Sequence, residues 1–221
     1  MKRLIVLCLY ALTSTAIAEP RICADGMVTV DAEAPLASVM CETAEQASRD
    51  LAACNLPLKS PIQLTLSRDL EELFCVGMYH CGDRLIEVLP PDILETANRD
   101  TAMFYGMDAM AYFKSVIFHE MVHAAYDGVP CPFDDICRAT TEYLAYSLQI
   151  RALDDATRSD MGLSEIASDP IENDEINTMI LFLAPDTFAT KSYMHLMQRA
   201  DPCAFVGEVA AGRVYFDYAE P

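Results

Sequence analysis

The chain has 221 residues, with 34 Asp and Glu against 15 Lys and Arg, and a formal net charge of −19. A chain this acidic repels the phosphates of nucleic acids and the anionic surface of lipid bilayers, so we expect neither as a partner. Its 52% hydrophobic content suits one domain with a sizeable buried core.

The first 18 residues have the pattern of a secretory signal peptide. Lys2 and Arg3 precede an apolar run from Leu4 to Leu12, and Ala16-Ile17-Ala18 forms a small-residue cleavage site. No later stretch reaches the 18 or so uninterrupted apolar residues of a membrane span. We therefore expect an exported mature chain, 19–221, located in the periplasm or outside the cell, without a membrane span.

Residues 19–107 predict an α+β lobe with one small sheet. Pro35 breaks the chain after the first strand pattern. The predicted elements are strands at 27–31 and 61–66, a helix at 42–54, and a hairpin with strands at 73–79 and 85–89. Strand 85–89 is a candidate for a sheet edge that pairs with an extended peptide, and the alternative is an ordinary core strand.

The motif His119-Glu120-Met121-Val122-His123 lies in an apolar stretch that predicts a helix over 109–126, with Asp108 as its N-cap. His119 and His123 then share one helix face, one turn apart, where two imidazoles can bind one metal ion. Glu120 projects about 100° away, so it can accept a proton from a water at that metal. The motif predicts a zinc site with a general base beside it.

A third ligand is expected on the next helix. Eighteen residues separate His123 from Glu142. With this spacing the sequence resembles the gluzincins, zinc metallopeptidases in which H-E-x-x-H is followed by a Glu ligand. The resemblance, which covers 108–153, implies His119, His123 and Glu142 as zinc ligands, Glu120 as general base, and a peptide or protein substrate.

Two departures from that family concern the residue that hydrogen-bonds a zinc ligand and the segment that binds the substrate. Thermolysin-like gluzincins carry an Asp four residues after the Glu ligand, where this chain has Tyr146. Tyr146 is therefore a candidate to hydrogen-bond a zinc ligand in place of that Asp. The G-x-M-E-N segment of the large aminopeptidases is absent, so a family-level substrate preference does not carry over.

A peptidase also needs a donor to the oxyanion formed at the attacked carbonyl. The candidates are Tyr126, Tyr146, Tyr193 and His195. His195 is expected to face the cleft from the C-terminal part of the chain. The fallback metal ligands are Asp127, Asp134 and Asp135, whereas His80 is expected to be a turn residue.

The remaining segments predict a helix pair followed by a helical lobe. Asp134 or Asp135 caps a second helix that runs to about 153, so 108–153 forms a zincin-type pair. Residues 154–169 are expected to be mostly loop, and helical patterns follow at 172–183, 187–199 and 201–211. The predicted fold class is α+β, with a small mixed sheet, the helix pair and a C-terminal helical lobe (154–221) in one domain, 19–221.

Eight cysteines remain after the predicted leader, an even number that favours disulfides in an exported chain. Two close pairs, Cys75 with Cys81 and Cys131 with Cys137, are expected to close small loops. The other four, Cys23, Cys41, Cys54 and Cys203, are expected to pair among themselves in an undetermined order.

Two functions follow as hypotheses. The first is an exported zinc-dependent metallopeptidase. The second is an exported, disulfide-rich zinc-binding protein that acts as a binding module without turnover. Glu120 favours the first, because a protein that only binds has no use for a general base.

Overall fold

The structure is a computed structural model that describes residues 20–97, 103–133 and 137–217. The predicted signal peptide and the predicted cap Asp134 or Asp135 lie outside the described residues. Eight α-helices and one five-stranded mixed sheet occur in the described ranges, so the predicted α+β class is confirmed.

The sheet has the order β1-β2-β3-β5-β4. Its strands are β1 (Arg21–Ile22), β2 (Val28–Asp31), β3 (Ile62–Leu66), β4 (Gly77–His80) and β5 (Leu85–Val88). Strand β3 pairs in parallel with both β2 and β5, whereas β1 and β4 add antiparallel strands at the two sides. The hypothesis that 85–89 forms an edge is wrong and the core-strand alternative is confirmed, because β5 pairs on both sides; the edge strands are β4 and β1.

Helix α1 (Ala34–Ala53) packs against β2 and against the later helix 109–126. Its buried residues recur every three or four positions, as an amphipathic helix requires. They are Ala37, Met40, Cys41, Ala44, Ala47 and Leu51. The helix begins earlier than the predicted 42, because Pro35 occupies its first turn, where a missing N–H costs nothing.

The other helices are α2 (Pro91–Ala97), α3 (Ala109–Tyr126), α4 (Arg138–Ala152), α5 (Asp155–Asp160), α6 (Thr178–Leu183), α7 (Pro185–Met197) and α8 (Pro202–Ala210). Helix α3 lies centrally, against α1, β4 and α4, and α4 packs in turn against α7. Helix α5 falls in a segment predicted as loop. None of its side chains is buried, so it has no apolar periodicity by which the sequence could predict it. The helix is stabilised instead by its N-cap, because the Asp154 carboxylate accepts a hydrogen bond from the Thr157 N–H.

Three disulfides link described cysteines. They are Cys23–Cys41, Cys54–Cys203 and the predicted Cys131–Cys137. The predicted Cys75–Cys81 bond is wrong, since both thiols are free. Strand β4 lies between these two residues, and four extended residues alone span about 10 Å, beyond the ~7 Å Cα separation that a disulfide tolerates.

The last described residues return to the start of α4. The carboxylate of Asp217 accepts hydrogen bonds from the N–H groups of Ala139 and Thr140, both at 2.9 Å, and from the Thr140 hydroxyl at 2.7 Å. The Phe216 ring stacks on Tyr143, with centroids 4.0 Å apart. The C-terminal segment thus caps the helix that carries Glu142, where Cys137 supplies no side-chain cap.

None of the helices in the three described ranges is both long and apolar enough to cross a membrane.

Candidate metal centre

Helix α3 presents the motif to a cavity. Its N-cap is the predicted Asp108, whose side chain accepts hydrogen bonds from the N–H groups of Met110 and Ala111, both at 3.0 Å. Most of the helix is buried, which fixes its rotation and explains its weak amphipathicity. His119 and His123 consequently face the cavity together, with side chains only 12% and 15% exposed.

Helix α4 brings Glu142 to the two imidazoles. The Oε2 atom of Glu142 lies 3.4 Å from Nε2 of His119, and its Oε1 atom lies 3.6 Å from Nε2 of His123. The two Nε2 atoms are 3.1 Å apart. Among the described residues, these three side chains are the group whose ligand atoms converge within metal-binding distance.

The spacing of the donor atoms suits a tetrahedral zinc ion. With zinc–ligand bonds of about 2.0–2.1 Å, neighbouring ligand atoms in a tetrahedron lie about 3.3 Å apart. The two Nε2 atoms are 3.1 Å apart, and each lies 3.4 or 3.6 Å from a different carboxylate oxygen of Glu142, so the distances bracket that value. Two imidazole nitrogens and one carboxylate oxygen are also the donor set of a catalytic zinc site, which leaves a fourth position open.

Partners behind the imidazoles orient their nitrogens. Nδ1 of His119 lies 2.9 Å from Oε1 of Gln149, whose amide nitrogen donates to Ser115 Oγ at 3.2 Å. Because Ser115 itself donates to the Tyr112 carbonyl at 2.8 Å, the amide of Gln149 is fixed with its oxygen toward His119. Nδ1 of His119 therefore carries a proton, and its Nε2 is the ring nitrogen that faces the cluster.

His123 has a corresponding partner in Thr141, whose Oγ1 lies 2.9 Å from its Nδ1. Sequence reasoning missed both Gln149 and Thr141. Their positions relative to Glu142 were the available signal. Gln149 follows Glu142 by two helical turns and so shares its helix face, and Thr141 directly precedes Glu142. With both Nδ1 atoms engaged, the two Nε2 atoms lie 3.1 Å apart and both face Glu142.

The electrostatics of the cluster favour a cation. Burial opposes charge on His119, but the Glu142 carboxylate outweighs burial and raises the pKa of this imidazole. Burial lowers the pKa of His123. The Glu142 carboxylate raises this pKa in part, and the charge on His119 lowers it further. The pKa of Glu142 stays below its ordinary value despite burial, because both imidazoles stabilise its carboxylate. In the metal-free protein the proton on His119 thus compensates the Glu142 carboxylate, a role that a metal ion could take over.

Glu120 lies beside the cluster and against the edge strand. It is 5% exposed, and a Cβ built on Gly77 of β4 would lie 2.6 Å from its Oε1 atom. Burial raises the pKa of Glu120 to about 7, a shift that His119 opposes in part. A carboxyl group with a pKa near neutrality can both accept and release a proton, as a general base requires. Glycine in a strand can signal this kind of close approach, but sequence reasoning did not use Gly77.

The cavity in front of the cluster has a volume of about 790 Å³. Strand β4 and the preceding residues form one side, and α4 with the start of α7 forms the other. Tyr146 lines it, with its ring 4.8 Å from that of His119. Its predicted hydrogen bond to a ligand is absent from the contacts of the described residues, where Gln149 and Thr141 occupy both Nδ1 atoms. Burial raises the pKa of Tyr146, so its hydroxyl remains a donor.

His195 does not face the cavity as expected. It is fully buried, its Nδ1 lies 2.8 Å from the Tyr143 hydroxyl, and its Nε2 contacts Arg199 and Asn173. Its ring also packs edge-on to Phe205. Helix α7 turns this residue into the interface with α4, so His195 supports the core there.

Of the remaining candidates, some lie at the cavity and others do not. Tyr126 lines the cavity and has a buried hydroxyl without a hydrogen-bond partner among the described residues, whereas Tyr193 is buried in a separate cluster beside Ile150.

Asp127 does not join the two imidazoles and Glu142 as a ligand, because its Oδ2 atom accepts a hydrogen bond from the Tyr79 hydroxyl at 2.8 Å. His80 bonds to Glu87 on the neighbouring strand, at 2.7 Å.

A family model described as a family of unknown function, DUF6639, matches residues 28–219. The chain belongs to this family. The region that matches DUF6639 runs from β2 past the Asp217 cap and includes His119, Glu120, His123 and Glu142. Comparisons with curated proteins and with solved structures gave no significant match.

Proposed function

We propose that this DUF6639 member is an exported zinc-dependent metallopeptidase of the gluzincin type. The observation that carries the proposal is the convergence of His119, His123 and Glu142, with donor atoms 3.1–3.6 Å apart, beside the buried carboxyl group of Glu120. The three disulfides are compatible with export to an oxidising compartment.

His119, His123 and Glu142 would hold the zinc ion, and Gln149 and Thr141 would keep the imidazoles oriented toward it. Zinc bound there would polarise the attacked carbonyl group and lower the pKa of water at its open position. Glu120 takes the proton of the attacking water and passes it to the nitrogen of the scissile amide. Its place against Gly77 holds the carboxyl group in position for both transfers.

Two further groups serve the substrate. The hydroxyl of Tyr146, which lines the cavity next to His119, donates a hydrogen bond to the oxyanion. Strand β4 is an unpaired sheet edge along the same cavity, so an extended peptide pairs with its backbone. An acidic protein suits peptides that are neutral or basic.

The test is a comparison of wild type with Glu120→Gln, after purification without added metal. We expect about one zinc per chain in both proteins, and hydrolysis of a broad fluorogenic peptide library by wild type alone. A chelator should abolish the activity, and zinc should restore it. Glu208→Gln, which removes an exposed carboxylate far along the chain on α8, serves as control and should retain activity.

Other results would contradict the proposal. Equal hydrolysis by the Glu120→Gln variant would remove Glu120 from the reaction. Zinc in stoichiometric amount with no hydrolysis of any peptide would favour the binding module without turnover. Absence of zinc after dialysis against excess zinc would contradict the metal centre itself.

A further inference from the structure

Phe74 adopts a backbone conformation that its side chain disfavours. Its φ angle is +56°, in the left-handed region that glycine occupies freely and a bulky aromatic residue rarely enters. The hydrogen bonds around it explain the conformation. The Cys75 N–H donates to the Leu70 carbonyl at 3.0 Å and the Phe74 N–H donates to the Glu71 carbonyl at 3.1 Å. This pair of bonds is a Schellman motif, whose left-handed position is ordinarily glycine.

The Phe74 ring is too exposed to offset this strain by packing in the core. Its side chain is 97% exposed, and Leu73 next to it is 58% exposed. Glycine at position 74 would satisfy the same turn and remove an apolar ring from water. Strained non-glycine residues are concentrated at functional sites, where the side chain is needed in that place.

The place of Phe74 is the rim of the cavity in front of the metal cluster. Two residues stand between it and Gly77, against which Glu120 lies, so the Cα atoms of Phe74 and Gly77 are no more than about 11 Å apart. A peptide residue two or three positions from the attacked bond lies within that reach. The neighbouring walls are also apolar, with Met78, Met103 and Phe104.

We propose that Phe74 is a specificity-determining residue whose ring binds an apolar side chain of the peptide, two or three residues from the scissile bond. The inference rests on the proposed peptidase function and adds a substrate class to it: peptides with an apolar residue at one defined distance from the cleavage point. Burying the exposed ring against that side chain supplies the affinity, and the strained turn holds the ring over the cavity.

The experiment uses fluorescein-labelled decapeptide sublibraries, each with Leu or Ser fixed at one position. Binding is measured by fluorescence polarisation to the Glu120→Gln protein, and kcat/KM is measured with active protein. We expect a preference of about tenfold for Leu at one position, and loss of that preference in Phe74→Gly. Phe74→Leu should keep most of it. The Tm of Phe74→Gly should equal or exceed that of the parent, because the turn is relieved of strain.

Arg84→Gly is the matched control. Arg84 also has a positive φ, +58°, but it is exposed on the β4–β5 turn and does not line the cavity. This variant should keep the Leu preference. An unchanged preference in Phe74→Gly overturns the inference while leaving the peptidase intact. A dimer that dissociates in Phe74→Gly, by analytical ultracentrifugation, also overturns it. If no sublibrary is bound or cleaved, the inference and the proposed function fall together.

Discussion

Gly77 and Glu120 are in contact across the interface between β4 and α3, since a Cβ at position 77 would lie 2.6 Å from Oε1 of Glu120 and 2.7 Å from Cγ1 of Val116. The edge strand and the helix of the motif therefore approach each other at a distance that only glycine permits. Because that strand also lines the cavity, the backbone at position 77 sets both one wall of the cavity and the location of Glu120, the proposed general base.

Gly77→Ala should separate the strand from the helix and displace Glu120. We expect kcat/KM to fall by about a hundredfold, as for a displacement of about 1 Å near the reacting atoms, and the free energy of unfolding to fall by about 1–3 kcal/mol. Peptide hydrolysis and urea denaturation measure the two effects. Gly82→Ala is the control, because position 82 has a φ of +82° but no neighbour within 4 Å. It should lose about 1 kcal/mol of stability and keep its activity.

Gln149→Leu should weaken zinc binding. The substitution removes the acceptor that holds the Nδ1 proton of His119, so the imidazole loses its fixed tautomer and orientation. We expect the zinc Kd to rise by about 10–100-fold, measured by competition with a chelating dye. Ser147→Ala on the same helix is the control, since its buried hydroxyl has no partner in the described part of the chain. An unchanged Kd in Gln149→Leu would contradict the role of Gln149.

Asp217→Ala should affect zinc binding from a distance. Without its carboxylate, the first turn of α4 loses its acceptor at Ala139 and Thr140, and Glu142 in the next turn loses its fixed position. We expect a loss of about 1–2 kcal/mol in the free energy of unfolding of the metal-free protein, together with a weaker zinc Kd. Asp201→Ala removes a comparable cap from α8, whose Ala204 N–H it accepts at 2.9 Å. That control should lose stability but keep its zinc Kd. Equal zinc affinity in the two variants would contradict the effect on zinc binding and leave Asp217 with the role of a helix cap alone.

His195 should make stability depend on pH. Burial, and secondarily the charge of Arg199, lowers the pKa of His195 from 6.5 to about 4. Between these pH values the unfolded chain binds a proton that the folded chain does not, so the free energy of unfolding falls as the pH falls from 6.5 to 4. The loss approaches about 3 kcal/mol at the lower limit. Urea denaturation of metal-free wild type and His195→Gln, at pH 7.0, 5.5 and 4.5, isolates this contribution. A stability difference that stays constant with pH would contradict it.

Local spacing made the group of three candidate ligands predictable. His119 and His123 are one helical turn apart, and Glu142 follows on the next helix at the distance that the gluzincin resemblance implies, so the structure brings together the three predicted ligand residues. Gln149 and Thr141 were not predicted, because a hydrogen bond between two helices depends on their mutual rotation, which α3 sets through its nearly complete burial.

Non-local pairing explains the errors in the sheet and the cysteines. From the sequence, the two strands of the hairpin are equivalent; β5 becomes interior only because it pairs with β3, about twenty residues earlier. Cys75 and Cys81 are close in sequence, but the extended strand between them separates the thiols. His195 was expected in the cleft because a lone histidine carries no sign of the buried interface that receives it.

The Cys54–Cys203 bond joins positions 149 residues apart. It turns everything from the end of α1 to the start of α8 into a covalent ring, and all the proposed ligands belong to that ring. One cut by a protease within it opens the ring but leaves the two fragments attached through sulfur. A nicked molecule would therefore keep its full mass until a reductant separates the pieces.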